Sequence, residues 1–281
     1  MRTRGRLIGH VMPLVLTALL VASWSPRAVE RRQADHFVVV NGVRLHYVDW
    51  GGKGECLLFL TPLGGDLREQ FASLAPQFTD QFRVLGLTRR GQGRSDKPDN
   101  DYAIDTLVLD IVGFLDAMQV RRAHIAGHSV AGAEMTRLAA EHPSRVSTLV
   151  YLDAAVDYKL HAGLAAEAGM GPPDDPALAA ILRGAAVRHP EYNRVQAPAL
   201  SIKVVFDGPI PVGADADEAY KRFLKLAVQR DVVGTQIRQF EQNMARGEVL
   251  LLRNTTHGGF LHDPLQQKVF VPVMKEFLRR H

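Results

Sequence analysis

The chain is short of the residues that build metal and redox centres. It has one cysteine, Cys56, in 281 residues, which excludes an internal disulfide. No CxxC or HExxH pattern occurs, and the eleven histidines are scattered, so a bound metal has no support in the sequence. Cys56 opens the apolar run "CLLFL" and reads as a buried strand residue, not a nucleophile. There is no basic stripe interleaved with aromatics, which argues against a nucleic-acid partner. No internal repeat is visible. Neither "TPLGGD" nor "GHSVAG" contains G-x-G-x-x-G, which disfavours a dinucleotide-binding oxidoreductase. No cofactor is expected.

What the chain does have is apolar bulk. Hydrophobic residues make up 46%, enough for a sizeable core in one large domain or two small ones. The first residues differ from the rest. Arg2, Arg4 and Arg6 precede the uncharged stretch "VMPLVLTALLVA" (11–22), and Ser23, Ser25 and a charged segment follow. This is the layout of a secretory leader, short for a membrane span of about 20 residues. The expectation is an exported protein, periplasmic or secreted, with residues 1–28 as signal peptide and 29–281 as the folded domain. An uncleaved N-terminal anchor is the alternative, with no other membrane role. The formal charge of +4 falls to +1 once residues 1–23, with three arginines and no acid, are removed.

Downstream, Asn41-Gly42 between β-branched segments is a hairpin signal. Continuous apolar runs at 56–61, 82–88, 123–128, 146–155 and 198–207 read as buried strands. Helical spacing marks 67–78, 105–120, 130–143 and 265–280, and 248–257 reads as a last strand. Strands alternating with helices predict an α/β fold, a mostly parallel central sheet flanked by helices. The Ala-rich stretch 156–197 predicts a short helical lid. Ligands of such sheets gather at the carboxyl ends of strands.

At one such end stands Gly127-His128-Ser129-Val130-Ala131, the small-x-nucleophile-x-small pattern of a strand–turn–helix elbow. A serine hydroxyl needs a histidine to take its proton and a carboxylate to orient that histidine. Asp207, ending the strand 198–206, and His257, in the turn "NTTHGGF", are the candidates in chain order. Asp153, which ends "LVYLD", competes with Asp207, and Asp207 is favoured. Asp215 and Asp217 read as solvated. His262 competes with His257 and reads as a surface or supporting residue. His128 reads as packing beside the turn. Arg89 and Arg90 read as holding the "RRGQGRSD" loop by hydrogen bonds. The sequon Asn254-Thr255-Thr256 abuts His257 and is not read as a glycosylation site.

Over residues 35–280 the chain resembles the α/β-hydrolase superfamily, through "VNGVRLHYVDWG", "LTRRGQGRSDKP", "GHSVAG", "PALSIKVVFD" and "THGGFLHDP". The resemblance implies a triad of Ser129, Asp207 and His257. It also argues against the epoxide-hydrolase and haloalkane-dehalogenase branches, which carry aspartate where Ser129 stands. The family's His-Gly after the third strand is replaced by Thr61-Pro62. Proline has no N–H, so the resemblance assigns the oxyanion donors to the amides of Leu63 and Val130. The function implied is a serine hydrolase acting on an apolar or amphipathic ester or lactone. Amidase, aminopeptidase, carbon–carbon hydrolase and perhydrolase activities use the same triad, and a non-catalytic small-molecule receptor is the reading from a different class.

Overall fold

The computed structural model describes residues 35–205 and 217–281. The expected leader at 1–28, together with Asp207 and Asp215, lies outside the described residues. The compact unit that contains the described residues spans Gln33–His281.

The chain opens with the expected hairpin. β1 (Asp35–Val40) and β2 (Val43–Gly51) pair antiparallel, with Val40 opposite Val43. Asn41 and Gly42 both take positive φ, 50° and 77°, the backbone that a two-residue turn of this hand demands. β3 (Cys56–Leu60), β4 (Arg83–Leu87), β5 (Ala123–His128), β6 (Val146–Leu152), β7 (Ala199–Val204) and β8 (Gly247–Leu252) complete an eight-stranded sheet of order β1-β2-β4-β3-β5-β6-β7-β8. β1, β2 and β4 pair antiparallel, and the remaining pairs are parallel. β3, β5, β6 and β7 are buried at every position. Strands covered on both faces need no polar alternation, which is why they stood out as unbroken apolar runs.

Helices cover both faces. On one side α2 (Ile104–Ala117) and α3 (Ala131–Glu141) bury Ile111, Phe114, Met135 and Leu138 against the sheet. On the other, α1 (Leu67–Phe71) and α8 (Pro264–Arg280) bury Phe71, Phe270, Met274 and Phe277. The single helix expected over 67–78 is instead α1 followed by a 3-10 turn, Ala75–Phe78. Pro76 sits in the first turn of that second piece, where its missing N–H costs nothing, whereas it could not have continued α1.

The stretch 156–197 carries α4 (Tyr158–Ala168) and α5 (Pro176–Ala185), capped by Asp157 and Asp175. α5 packs Ala177, Ile181 and Ala185 against Val130 and Leu107. In the segment 208–245, expected to hold a loop and helices, stand α6 (Glu218–Gln229) and α7 (Val232–Asn243). No helix among the described residues is long and apolar enough to cross a membrane.

Candidate active site at the strand ends

The elbow forms where the sequence placed it. Ser129 stands between β5 and α3 with φ of 55°, a strained conformation for a residue with a Cβ and one that clusters at functional sites. The small residues around it are small for two reasons. A Cβ on Gly127 would lie 2.4 Å from Met135 Sδ and 2.8 Å from Ala131 Cβ. A Cβ on Gly132 would lie 1.8 Å from the carbonyl oxygen of Ala154. The closest backbone approach is therefore one residue beyond the pentapeptide, where α3 rests directly on the chain leaving β6.

His257 sits in the turn between β8 and α8, about half exposed, with its ring 4.6 Å from that of His128, the residue before Ser129. Its Nδ1–H donates to Asp153 Oδ2 at 2.7 Å. A neutral ring held this way keeps its lone pair on Nε2, the nitrogen free to take a proton. Among the described residues no hydrogen bond joins Ser129 to His257. The Ser129 hydroxyl pairs with the Tyr158 hydroxyl at 3.3 Å. Burial pushes the Tyr158 phenol well up, and the bond to Ser129 only partly opposes this, so the phenol stays protonated at neutral pH.

The carboxylate on the histidine is thus that of Asp153, where the sequence favoured Asp207. Asp153 follows β6 directly, at φ of 46°, and its N–H donates to the Ile202 carbonyl of β7 at 2.7 Å. The parallel register pairs Leu152 with Ile202, so the next step along each strand sets Asp153 beside Lys203. Asp153 Oδ1 accepts from Lys203 Nζ at 3.0 Å and from the Val204 N–H at 3.3 Å. Burial alone would raise this carboxyl. The Lys203 charge and the His257 hydrogen bond outweigh burial and hold it far below the usual carboxylate range.

Val130 is fully buried at the N-terminus of α3, and Leu63 packs against the same small cluster. Among the described residues neither amide N–H has an acceptor. The loop that carries Leu63 is held from below, a feature the sequence did not disclose. Arg89 Nη2 donates to the Thr61 carbonyl at 2.9 Å and Nη1 to the Pro62 carbonyl at 3.4 Å. Its Nε pairs with buried Glu134 of α3. Arg90 binds both oxygens of Asp110 on α2 at 2.6 and 2.7 Å. Loop-holding roles for both arginines are therefore met, with Arg89 reaching the loop after β3.

His128 is more than packing. Its Nε2 lies 2.8 Å from the His257 carbonyl oxygen and its Nδ1 3.2 Å from Gln70 Nε2. A carbonyl can only accept, so Nε2 carries the proton and Nδ1 accepts from Gln70. Burial, with the His257 ring nearby, lowers this imidazole to about 3. Asp217 caps α6 through the Tyr220 N–H, and His262 ends the short turn before α8. No group of three or more metal-ligating side chains occurs among the described residues.

A cavity of about 160 Å³ opens between α2, α3 and the segment after α5. Ile104, Ala133, Val156 and Ala185 give it apolar walls, and Tyr158 forms the wall toward Ser129.

Residues 56–198 match the profile of the alpha/beta hydrolase fold. N-formylmaleamate deformylase of Pseudomonas putida is 33% identical over 120 residues, 42% of this chain and 44% of that protein. Non-heme chloroperoxidase of Streptomyces lividans is 32% identical over 118 residues, 41% and 42% of the two chains. These matches span less than half of either relative. Among solved structures, the enol-lactonase from Burkholderia xenovorans LB400 superposes with a TM-score of 0.65 at 20% identity, over 87% of this chain and 100% of that one. With the strand order, the serine strained between β5 and α3, and the profile match over residues 56–198, the chain belongs to the alpha/beta hydrolase fold family.

Proposed function

We propose that the protein is a serine hydrolase that cleaves a carboxylic ester or lactone, with Ser129 as nucleophile, His257 as general base and Asp153 as the acid that orients it. The observation that carries this is the 2.7 Å bond from His257 Nδ1–H to the buried Asp153 carboxylate, at the sheet edge where Ser129 stands at positive φ. As substrate arrives, the Ser129 hydroxyl turns from Tyr158 to His257 Nε2. Such contacts are often loose before substrate binds. Its proton passes to Nε2 as Oγ bonds the carbonyl carbon, and the carbonyl electron pair moves to oxygen. The Leu63 and Val130 amides receive that oxyanion. Collapse expels the alcohol, which leaves with the proton from Nε2. Water then repeats the sequence on the acyl-serine, releasing the acid. The cavity behind Tyr158, apolar at Ile104, Ala133, Val156 and Ala185 and charged at Asp105, Arg137, Arg188 and Glu191, supports an amphipathic substrate.

The test is labelling by a fluorophosphonate probe. Folded wild-type protein should be labelled and Ser129→Ala should not. Labelling that persists in the alanine variant removes Ser129 from the role, and folded wild type that stays unlabelled favours a binding protein on this fold. A panel of esters of graded acyl length, lactones and amides then separates esterase or lactonase from amidase activity.

A further inference from the structure

Lys203 is a buried cation for which the acyl-transfer sequence has no use. It is 5% exposed near the end of β7, the strand beside the β8 edge of the sheet, in a strand otherwise made of Ala, Leu, Ser, Ile and Val. Lysine is almost never buried to this degree unless paired, and an ammonium inside a fold is costly without partners. Its partners are unusually placed. Nζ lies 3.0 Å from Asp153 Oδ1 and donates to Gln236 Oε1 of α7 at 3.1 Å. Gln236 in turn donates from Nε2 to His161 Nε2 of α4 at 2.8 Å. A polar chain thus runs from α4 through α7 to the carboxylate beneath His257. Asp153 is divided between two duties: Oδ1 belongs to Lys203 and the Val204 N–H, and Oδ2 to His257.

We infer that Lys203 is a positioning residue, whose ammonium fixes Asp153 Oδ1 so that Oδ2 is aimed at His257. The inference rests on the catalytic reading of Ser129, His257 and Asp153 given above. Without Lys203, a carboxylate at the end of a strand can rotate about Cβ–Cγ and offer either oxygen to either neighbour. The lysine breaks that equivalence. Its charge also opposes a second positive charge on His257, two contacts away. The ionisable groups around the pair are His257 on the β8–α8 turn, His128 at the end of β5 with its ring 4.6 Å from that of His257, His262 before α8, Tyr158 and His161 on α4, and Asp157, which caps α4 and accepts from His189 at 2.7 Å and from Gln239 at 3.4 Å. Removing the lysine therefore leaves the imidazolium with one cation fewer against it. The acid limb of the rate profile should move to higher pH.

The experiment measures the second-order rate of Ser129 labelling by a fluorophosphonate from pH 5 to 9 in wild type, Lys203→Met, Asp153→Asn and the double variant, each checked for folding by circular dichroism. Lys203→Met should label at least about tenfold more slowly at pH 7, with the acid limb displaced upward. In the Asp153→Asn background the same substitution should change the rate less than about twofold, because the residue through which it acts has already been altered. Should Lys203→Met not fold, Lys203→Gln keeps a donor to both partners while losing the charge, and the same displacement is expected. A lysine that only stabilises the sheet would lower the melting temperature and leave the labelling profile of folded protein unmoved, and that result overturns the inference. Effects of Lys203 and Asp153 that simply multiply also overturn it. If wild type itself is not labelled at Ser129, the catalytic reading falls first.

Discussion

Asp153→Asn is the sharpest test of the site. Asp153 Oδ1 is held by Lys203 and the Val204 N–H, both donors. An asparagine must keep its carbonyl oxygen there, which turns its NH2 toward His257 Nδ1. The imidazole then has to accept at Nδ1 and carry its proton on Nε2, the wrong tautomer for taking the Ser129 proton. The same substitution in a buried serine triad costs about 10⁴ in rate. His257 is 52% exposed, so solvent can assist the ring, and a loss of about 10³ is expected, near 4 kcal/mol of barrier. The assay is the fluorophosphonate labelling rate beside that of Asp207→Asn, with melting curves to show that both variants fold. Asp207→Asn should label within about threefold of wild type. If Asp207→Asn is the slow variant and Asp153→Asn labels normally, the argument from the His257 bond is wrong and the acid follows β7.

Two further outcomes are expected. Gly132→Ala gains up to about 1 kcal/mol of helix propensity but drives a methyl to 1.8 Å from the Ala154 carbonyl, and two backbones cannot both yield. A net loss of about 2 kcal/mol, or roughly 4–8 °C in melting temperature, should result, and an unchanged or raised melting temperature would show that the helix is not seated as described. Stability should also fall as pH drops below neutrality. His128 titrates near 6.5 when unfolded and near 3 when folded, so between these values the unfolded chain binds the extra proton and stability declines with falling pH. This one group contributes about 2 kcal/mol between pH 7 and 5. Urea midpoints at the two pH values should differ accordingly in wild type and differ less in His128→Gln, which can still donate to the His257 carbonyl. Equal slopes in the two proteins would refute the assignment.

Much of this architecture could be read from the chain, because parallel strands buried on both faces leave unbroken apolar runs and the hairpin turn writes itself as Asn41-Gly42. The positions of Ser129 and His257 were legible for a related reason: each follows a strand. The carboxylate that bonds His257 was not, since Asp153 and Asp207 each follow an apolar run, and the resemblance favoured Asp207 while His257 bonds Asp153. The structure seats Asp153 on His257 through the pairing of Leu152 with Ile202, a register between chain segments fifty residues apart. Tyr158 left no signal either. It lies in an Ala-rich stretch whose docking onto α3, not its own periodicity, brings the phenol to Ser129. Helices were expected between 208 and 245, but the bounds of α6 and α7 were not legible, because α6 buries no residue fully and α7 buries only Val232, Gln236 and Phe240.

The guanidinium beneath Thr61 and Pro62 has a consequence for anyone who would re-engineer this scaffold. The turn that would cradle the developing charge is held by an arginine at the exit of a different strand as well as by its own Gly65 N–H to Pro62 carbonyl bond at 3.5 Å. Transplanting the more usual His-Gly turn would strand Arg89 beside Glu134 unless the graft returned two carbonyls to the same spot, so loop and arginine must be exchanged as one piece.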